Sequence, residues 1–461
     1  MALPELAALA GKLLEHNMHK GFKDGKEFLY TVPANGRYPH QWSGWDSQAI
    51  AIARARIAEI ALAEGLDDYA ALEIENAKAE LRSIFAWQFN DPDSQHFGFI
   101  PHVIFWDRSE FRRSPFWWNY WESRGRLTFL PGVSKPNTSM LIQPPLLAHA
   151  VERVWRVSHD VKFLREAVVT LYHYFRYFAC TRDPYNTGLI SIVNQFEAGT
   201  DFMPHHDASV GALNPSYIEL QLRSRWPEIV NKLHYAFDVR QILEESRSQQ
   251  KDVLVNCVYI AGLNIFVRLC RELKKLDRSQ AILMPQFIDW AQFKELQARR
   301  VLINLCYDER AGFFWNRVGV RYGKIRPQKV KTLNGLMPLI VPQLPSEIAE
   351  RLVGHLTSPK EFWAPYPVPT TAMDEPAFTR DNRLDNRMVS WRGPVTMITN
   401  WLLRHGLALQ GYEELGKHIA TRSVRAFMDY GKTFVEYRDP LTGYPTKDAK
   451  NFSWDTLLVD M

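Results

Sequence analysis

Cysteine is scarce: 461 residues hold four, and Cys180, Cys257, Cys270 and Cys306 include no CxxC pair. Three lie in apolar helix-like runs and read as buried reduced thiols, which excludes a disulfide scaffold and a cysteine zinc site. Excess charge of one sign is also missing, since 56 Lys and Arg face 51 Asp and Glu for a formal net charge of +5. The one basic cluster, "KIRPQKVK" at 324–331, reads as a solvated loop, so no nucleic-acid partner is expected. No apolar run near the ~18 residues of a membrane span stands out, and no membrane partner is expected. The N-terminal "MALPELAALAGKLLEHN" lacks a basic leader and carries Glu5. Its Leu6, Leu9 and Leu13 fall at helical spacing, so it reads as an amphipathic helix instead of a signal peptide. From these absences the expected location is cytoplasmic; the oligomeric state leaves no mark in the sequence.

Apolar residues are abundant at 46%, aromatics reach 13%, and 15 are Trp. Such a chain can bury a large core and still line a pocket with rings. Helical periodicity runs through Trp45 to Ala63, Asp68 to Trp87, Leu141 to Val157, Val161 to Cys180, Tyr217 to Ala236, Asp252 to Leu276, Met284 to Leu305, Ser346 to Leu356, Val395 to Leu407 and Tyr412 to Tyr430. Strand-like alternation is rare, and no self-similar period suggests a solenoid. Brief breaks such as "SHD" at 158–160 and "RHGLALQG" at 404–411 join helices into antiparallel pairs. Paired helices in one long chain predict an all-α toroid of inner and outer helices, a single domain over residues 1–461.

The loops between helices carry the chemistry. "GRYPHQWSGWDSQ" supplies Tyr38, Gln41, Trp42, Trp45 and Asp46, the last also placed to cap a helix. Trp106, Trp117, Trp118, Tyr120 and Trp121 follow. Rings beside carboxylates, Arg and Gln suit a sugar, whose faces stack on aromatic planes and whose hydroxyls need fixed polar partners. Cleaving a glycosidic bond further needs one protonated and one ionised carboxyl group. "FEAGTDFMPHHD" offers Glu197 and Asp201; "FVEYRDPLTGYPTKD" offers Glu436, and Asp439 whose Pro440 and Gly443 mark a turn. His205 and His206 raise a metal question, but adjacent histidines seldom face one ion and no HxxxH or HxH spacing is present, so neither metal nor cofactor is expected.

At these residues the chain resembles the inverting glycoside hydrolases with an (α/α)6 barrel, the family 63-like group that includes glucosylglycerate and mannosylglycerate hydrolases and processing α-glucosidases. The matching pieces, in order, are "YPHQW", "WDSQ", "IQPP", "DPYNTGL", "FEAGTD", "PYPVPT", "WRGP", "EYRDPLTG" and "FSW". The resemblance implies Asp201 as general acid and Glu436 as general base, Asp201 held protonated by desolvation or by a neighbour such as Glu197, and Glu436 ionised in a wetter setting. It implies a sugar pocket drawn from Tyr38, Gln41, Trp42, Trp45, Asp46, Gln143, Glu197, Gly199, His205, Trp391, Arg392 and Trp454, with Arg392 on sugar, Glu436 or Asp46. The expected activity is an inverting exo-α-glycosidase, foremost an α-glucosidase, on a small glucoside such as glucosylglycerate or a disaccharide. Ala198, Phe202, Met203, His205 and His206 depart from the family run after its Glu, as does Gly44 between Trp42 and Trp45, and place the differences where the leaving group is selected. A sugar epimerase or lyase using His205 or His206 as base, and a non-catalytic carbohydrate-binding relative, stay open.

Overall fold

The computed structural model describes residues 3–106, 138–212, 215–246, 249–280, 282–319, 326–446 and 449–461. Trp117, Trp118, Tyr120 and Trp121 lie outside them. The helices are α1 (Leu3–His16), α2 (Trp45–Ala63), α3 (Asp67–Phe85), α4 (Leu147–Ser158), α5 (Val161–Thr181), α6 (Tyr217–Leu233), α7 (Val239–Glu245), α8 (Val253–Leu276), α9 (Leu283–Cys306), α10 (Ser346–Leu356), α11 (Met397–Leu409) and α12 (Glu413–Asp429). All ten helices expected between 45 and 430 are present, shifted at their ends by a few residues. The largest shift is at α4, because Pro144 and Pro145 keep 141–146 out of the helix.

The sequence reading overlooked a hairpin, β1 (Met18–Lys23) with β2 (Lys26–Thr31), paired from Met18 opposite Thr31 to Lys23 opposite Lys26. Its turn is Asp24-Gly25 with φ of 51° and 77°, the Asp-Gly pair that two-residue hairpins favour. The flanking strands hold few β-branched residues, so only the turn signals them.

By its contacts the chain divides into two compact units: residues 1–181, 262–296 and 451–460, and residues 182–261, 297–450 and 461. Each unit gathers separated segments of chain.

In the first unit α2 is buried on nearly every side, fifteen of its 19 residues being inside. Seven alanines let neighbours approach, and their helix propensity replaces the missing amphipathic stripe. Gly65 at φ 73° ends the α2 turn, with Leu66 N–H on Ala61 O at 2.9 Å and Gly65 N–H on Leu62 O at 3.1 Å. This is a glycine C-cap that reverses the chain into α3. One charge is sealed in: Arg54, 1% exposed, reaches Glu73 of α3 at 2.8 Å and Leu14 O at 3.1 Å. The last turn-rich segment, Ser453–Asp460, is fastened to the chain's start by Asn17 Nδ2 on Ser453 Oγ (2.9 Å) and Ser453 N–H on Pro33 O (2.8 Å).

In the second unit Gly411, φ 85°, turns α11 into α12, with Tyr412 N–H on Leu407 O at 2.8 Å. Isolated bridges Val395–Arg438, Arg438–Pro445, Val435–Lys450 and Thr332–Thr371 stitch its irregular loops together. Helix α8, whose residues from Gly262 on are counted with the first unit, corrects one expectation. It is long and apolar enough to cross a membrane, yet 89% of its apolar window is buried inside the protein, as a core helix requires.

The Arg54–Glu73 pair gives a stability prediction. Arg54→Met strands a buried carboxylate and should cost about 3–5 kcal/mol, read as a lower midpoint in urea unfolding, whereas replacing exposed Lys20, paired with exposed Glu27, should move it little.

Candidate active site

The loop from Arg182 to Ala212 is built on two ion pairs. The Arg182 guanidinium forks onto Glu197, with contacts of 2.7 and 2.8 Å, and Val193 N–H donates to the same carboxylate at 2.8 Å. Asn194 Oδ1 accepts Phe196 N–H at 2.9 Å and Gln195 Oε1 accepts Phe202 N–H at 2.8 Å. Gly199 and Phe202 take positive φ of 72° and 62°, turning the chain on either side of Asp201. At the far end Asp207 Oδ1 accepts from Arg392 Nη2 at 2.5 Å.

Asp201 as a residue is half-buried, but its Oδ1 is closed off from solvent and has no protein hydrogen-bond partner among the described residues. Burial lifts its carboxyl from an ordinary 3.8 to about 8. The negative charge of Glu228 pushes in the same direction, Arg225 opposes it, and Glu436 adds a smaller push. Such a carboxyl holds its proton at neutral pH and can give it up in the site, which is what a general acid needs. Glu197, expected to tune it, is instead held by Arg182 and Val193; Glu228 of α6 is the carboxylate that acts most strongly on Asp201. Sequence reading missed Glu228 because α6 is inverted. It buries Ser224, Glu228, Asn231 and Lys232 and exposes Ile218, Leu222, Trp226 and Leu233 by 58–68%. An apolar stripe is ordinarily taken as the inner face; the polar spacing at 224, 228, 231 and 232 was the available signal.

Glu436 is 4% exposed, not wet as expected. Its N–H bonds Ala449 O at 3.0 Å and its Oε2 accepts Ala449 N–H at 3.4 Å. Asp439 behaves as the turn residue foreseen, accepting Leu441 N–H at 2.8 Å and Thr442 Oγ1 at 3.0 Å. Trp391 packs edge-on against Tyr437, ring centroids 5.5 Å apart, and takes φ 66°, a costly conformation for a bulky residue. Gly393 is obligatory beside it, since a Cβ there would meet Thr379 O at 1.9 Å. Arg392 therefore sits in a rigid loop, and its partner is Asp207, neither Glu436 nor Asp46.

The first unit gathers the other expected residues. Tyr38 lies edge-on to Trp42 at 5.1 Å and to Phe452 at 5.6 Å, Phe452 contacts Trp454 at 4.7 Å, and Trp454 meets Trp45 at 5.9 Å. Asp46 and Gln143 are buried at 2% and 4% exposure. Gly44 lets Gln143 approach: a Cβ at 44 would come within 2.6 Å of the Gln143 Cβ. Gln41 does not fit a sugar-binding role. Its amide is taken by Ser83 Oγ (2.6 Å), Ser47 Oγ (3.3 Å) and Trp106 Nε1 (2.7 Å), so it serves the interior.

The paired histidines are interior too. His205 Nδ1 lies 2.9 Å from Thr332 Oγ1, His206 Nδ1 lies 3.1 Å from Gln250 Oε1, and the two Nε2 atoms are 3.1 Å apart. Every ring nitrogen has a protein neighbour, which removes His205 from the wall that selects a leaving group and leaves neither ring free to act as a base. Burial drives the His205 imidazole down to about 3. The spacing argument against a shared ion fails here, because the tight 3-10 turn Pro204–Val210 aims both Nε2 atoms at one point.

A family model for a mannosylglycerate hydrolase MGH1-like glycoside hydrolase domain matches residues 38–455. A mannosylglycerate hydrolase from Thermus thermophilus is 28% identical over 93% of this chain and 95% of its own. A glucosylglycerate hydrolase from Mycolicibacterium hassiacum is 23% identical over 93% of each chain. Among solved structures, the GH63 mannosylglycerate hydrolase of Thermus thermophilus in complex with glucose superposes with a TM-score of 0.75 at 25% identity, covering 98% of this chain and 99% of that one. Neutral trehalase from Saccharomyces cerevisiae, at 14% identity and a TM-score of 0.56 over 98% of this chain and 78% of its own, shares the fold alone. The fold class is the all-α (α/α)6 barrel.

Glu228→Gln removes the charge that favours the proton on Asp201, so the Asp201 pKa should fall and, with Asp201 as the general acid that the family resemblance implies, the alkaline limb of kcat/KM for glycoside hydrolysis, near pH 8, should move to lower pH. Glu197→Gln should leave that limb in place and cost about 3–5 kcal/mol of stability by stranding buried Arg182. Paired pH–rate profiles and unfolding curves check both.

Proposed function

Because the chain belongs to the mannosylglycerate hydrolase MGH1-like glycoside hydrolase family and is a glycosidase, we propose that it is an inverting exo-α-glycosidase of small hexosyl glycosides. Its substrate class is glucosylglycerate, or the mannosyl counterpart named for its relatives. The observation that carries this reading is the Asp201 carboxyl, whose Oδ1 is closed off from solvent and which burial pushes up to about 8 with the charge of Glu436 adding to the rise.

Asp201 donates its proton to the glycosidic oxygen as the C1–O bond breaks. Water, deprotonated by Glu436, adds its oxygen to C1 from the opposite face; the products are the free hexose and the released aglycone, with the proton left on Glu436. Glu436, buried and bonded by Ala449 N–H, is a fixed acceptor for that proton. Arg392 acts on the acid loop through Asp207, holding Asp207 six residues from Asp201. The cluster of Tyr38, Trp42, Trp45 and Trp454 is the aromatic surface of the first unit suited to a pyranose face. With both histidines tied into the interior, no observation favours the epimerase or lyase.

Asp201→Asn and Glu436→Gln should each lower kcat by about 10²–10⁴ with the circular dichroism spectrum retained. Assays on glucosylglycerate, mannosylglycerate, trehalose, kojibiose and nigerose, read by released monosaccharide, should find turnover on a hexosyl glycerate. Early-time proton NMR should show the β-hexose from an α-linked substrate; the α-anomer as first product would overturn the mechanism, and turnover of the disaccharides alone would overturn the substrate class.

A further inference from the structure

We propose that His205, His206 and Asp252 form a buried binding site for a late first-row divalent cation of the Zn²⁺ type. The three side chains come from two places in the second unit, the 3-10 turn after Asp201 and the residue that opens α8. One ligand atom from each lies within 4.8 Å of the others, and all three residues are buried. The His205 Nε2 atom is 3.1 Å from His206 Nε2 and 3.7 Å from Asp252 Oδ2. Tetrahedral zinc with bonds of about 2.0–2.1 Å separates its ligand atoms by roughly 3.3 Å, a figure that the 3.1 and 3.7 Å separations bracket, while His206 and Asp252 must approach from within 4.8 Å. Two imidazoles and one carboxylate suit Zn²⁺ better than Ca²⁺ or Mg²⁺, which take oxygen ligands. Three protein ligands leave a fourth position for water.

The surroundings match a metal-holding shell. A histidine ligand ordinarily donates its other ring N–H to an acceptor, fixing the tautomer. Here His205 Nδ1 has Thr332 Oγ1 at 2.9 Å and His206 Nδ1 has Gln250 Oε1 at 3.1 Å, both able to accept. Gln250 is itself oriented by Nε2 donation to Ser209 Oγ at 3.0 Å. Asp252 Oδ1 accepts Val255 N–H at 2.9 Å, and Oδ2, the oxygen nearest His205, accepts Asn316 Nδ2 at 2.6 Å and Asn334 Nδ2 at 3.0 Å. These are amide donors, and among the described residues the basic group recorded at ion-pair distance is His205. Arg392, whose charge also bears on both imidazoles, is paired with Asp207 at 2.5 Å.

The competing arrangement needs no ion. Thr332 O–H can donate to His205 Nδ1, His205 Nε2–H to His206 Nε2, and His206 Nδ1–H to Gln250 Oε1, giving a neutral chain with every donor matched. In the neutral chain the His205 proton sits on Nε2, whereas with an ion between the Nε2 atoms it sits on Nδ1 and is donated to Thr332 Oγ1, and metal content distinguishes the two arrangements independently of turnover. Chelator-treated full-length protein dialysed against Zn²⁺ and desalted should retain about one equivalent per chain, with a raised Tm. His206→Gln and, separately, the near-isosteric Asp252→Asn should lose both effects. Co²⁺ loading of the unmutated protein should give the visible absorption of a tetrahedral site, abolished by Zn²⁺; this arm stands even if a variant does not fold. Equal zinc in the unmutated protein and a folded variant, or a Co²⁺-loaded protein without that absorption, overturns the proposal in favour of the neutral chain.

Discussion

The cost of enclosing one carboxyl group organises this molecule. Asp201 carries its proton far above the usual carboxylate range because burial removes the water that would stabilise its charge, and Glu228 penalises that charge further. Such a group works against the folded state as pH rises. Its folded pKa lies above the 3.8 of an exposed aspartate, so its stabilising contribution is complete below pH 3.8 and is lost as pH climbs through about 8. The structure around it must therefore be held by other interactions.

Those interactions are visible on both flanks. Before Asp201, the fork of Arg182 on Glu197 fixes the loop to its own beginning; after it, Asp207 is drawn to Arg392 in a loop whose backbone is forced by Trp391 and Gly393. Between them the two positive-φ residues leave little freedom. Glu436 lies in a different loop, pinned by the pairing of residues 435–446 with Val395 and Lys450. The Asp201 loop is thus set by two ion pairs and the Glu436 loop by backbone bonds, which is how a site keeps its geometry on irregular chain.

Much of the fold was legible because helices with an apolar stripe and a glycine or aspartate at the break write their ends into the sequence, as at Asp160 and Gly411. The hairpin at 18–31 was not, since its strands hold few β-branched residues and only Asp24-Gly25 marks it. In the proposed site, motifs pointed to Asp201 and Glu436 but carried nothing of their environments. Glu197 sits four residues from Asp201 and suggested a neighbour, yet a buried guanidinium 15 residues upstream claims it. Glu228 does the work expected of Glu197 from a helix facing the opposite way to its apolar pattern. Gln41 and His205 were plausible by residue type, and only the partners on every polar atom reveal them as interior. For Gln41 and His205 the tertiary pairing of polar groups leaves no periodic trace in a single sequence.

The central claim is that Asp201 is a protonated acid at neutral pH. A carbon-13 NMR titration of the Asp201 side-chain carboxyl, assigned through the Asp201→Asn difference spectrum, tests it most directly. A midpoint of about 8 is predicted; a midpoint near the ordinary 3.8 would contradict the account, because the carboxyl would then be ionised and unable to protonate a leaving group.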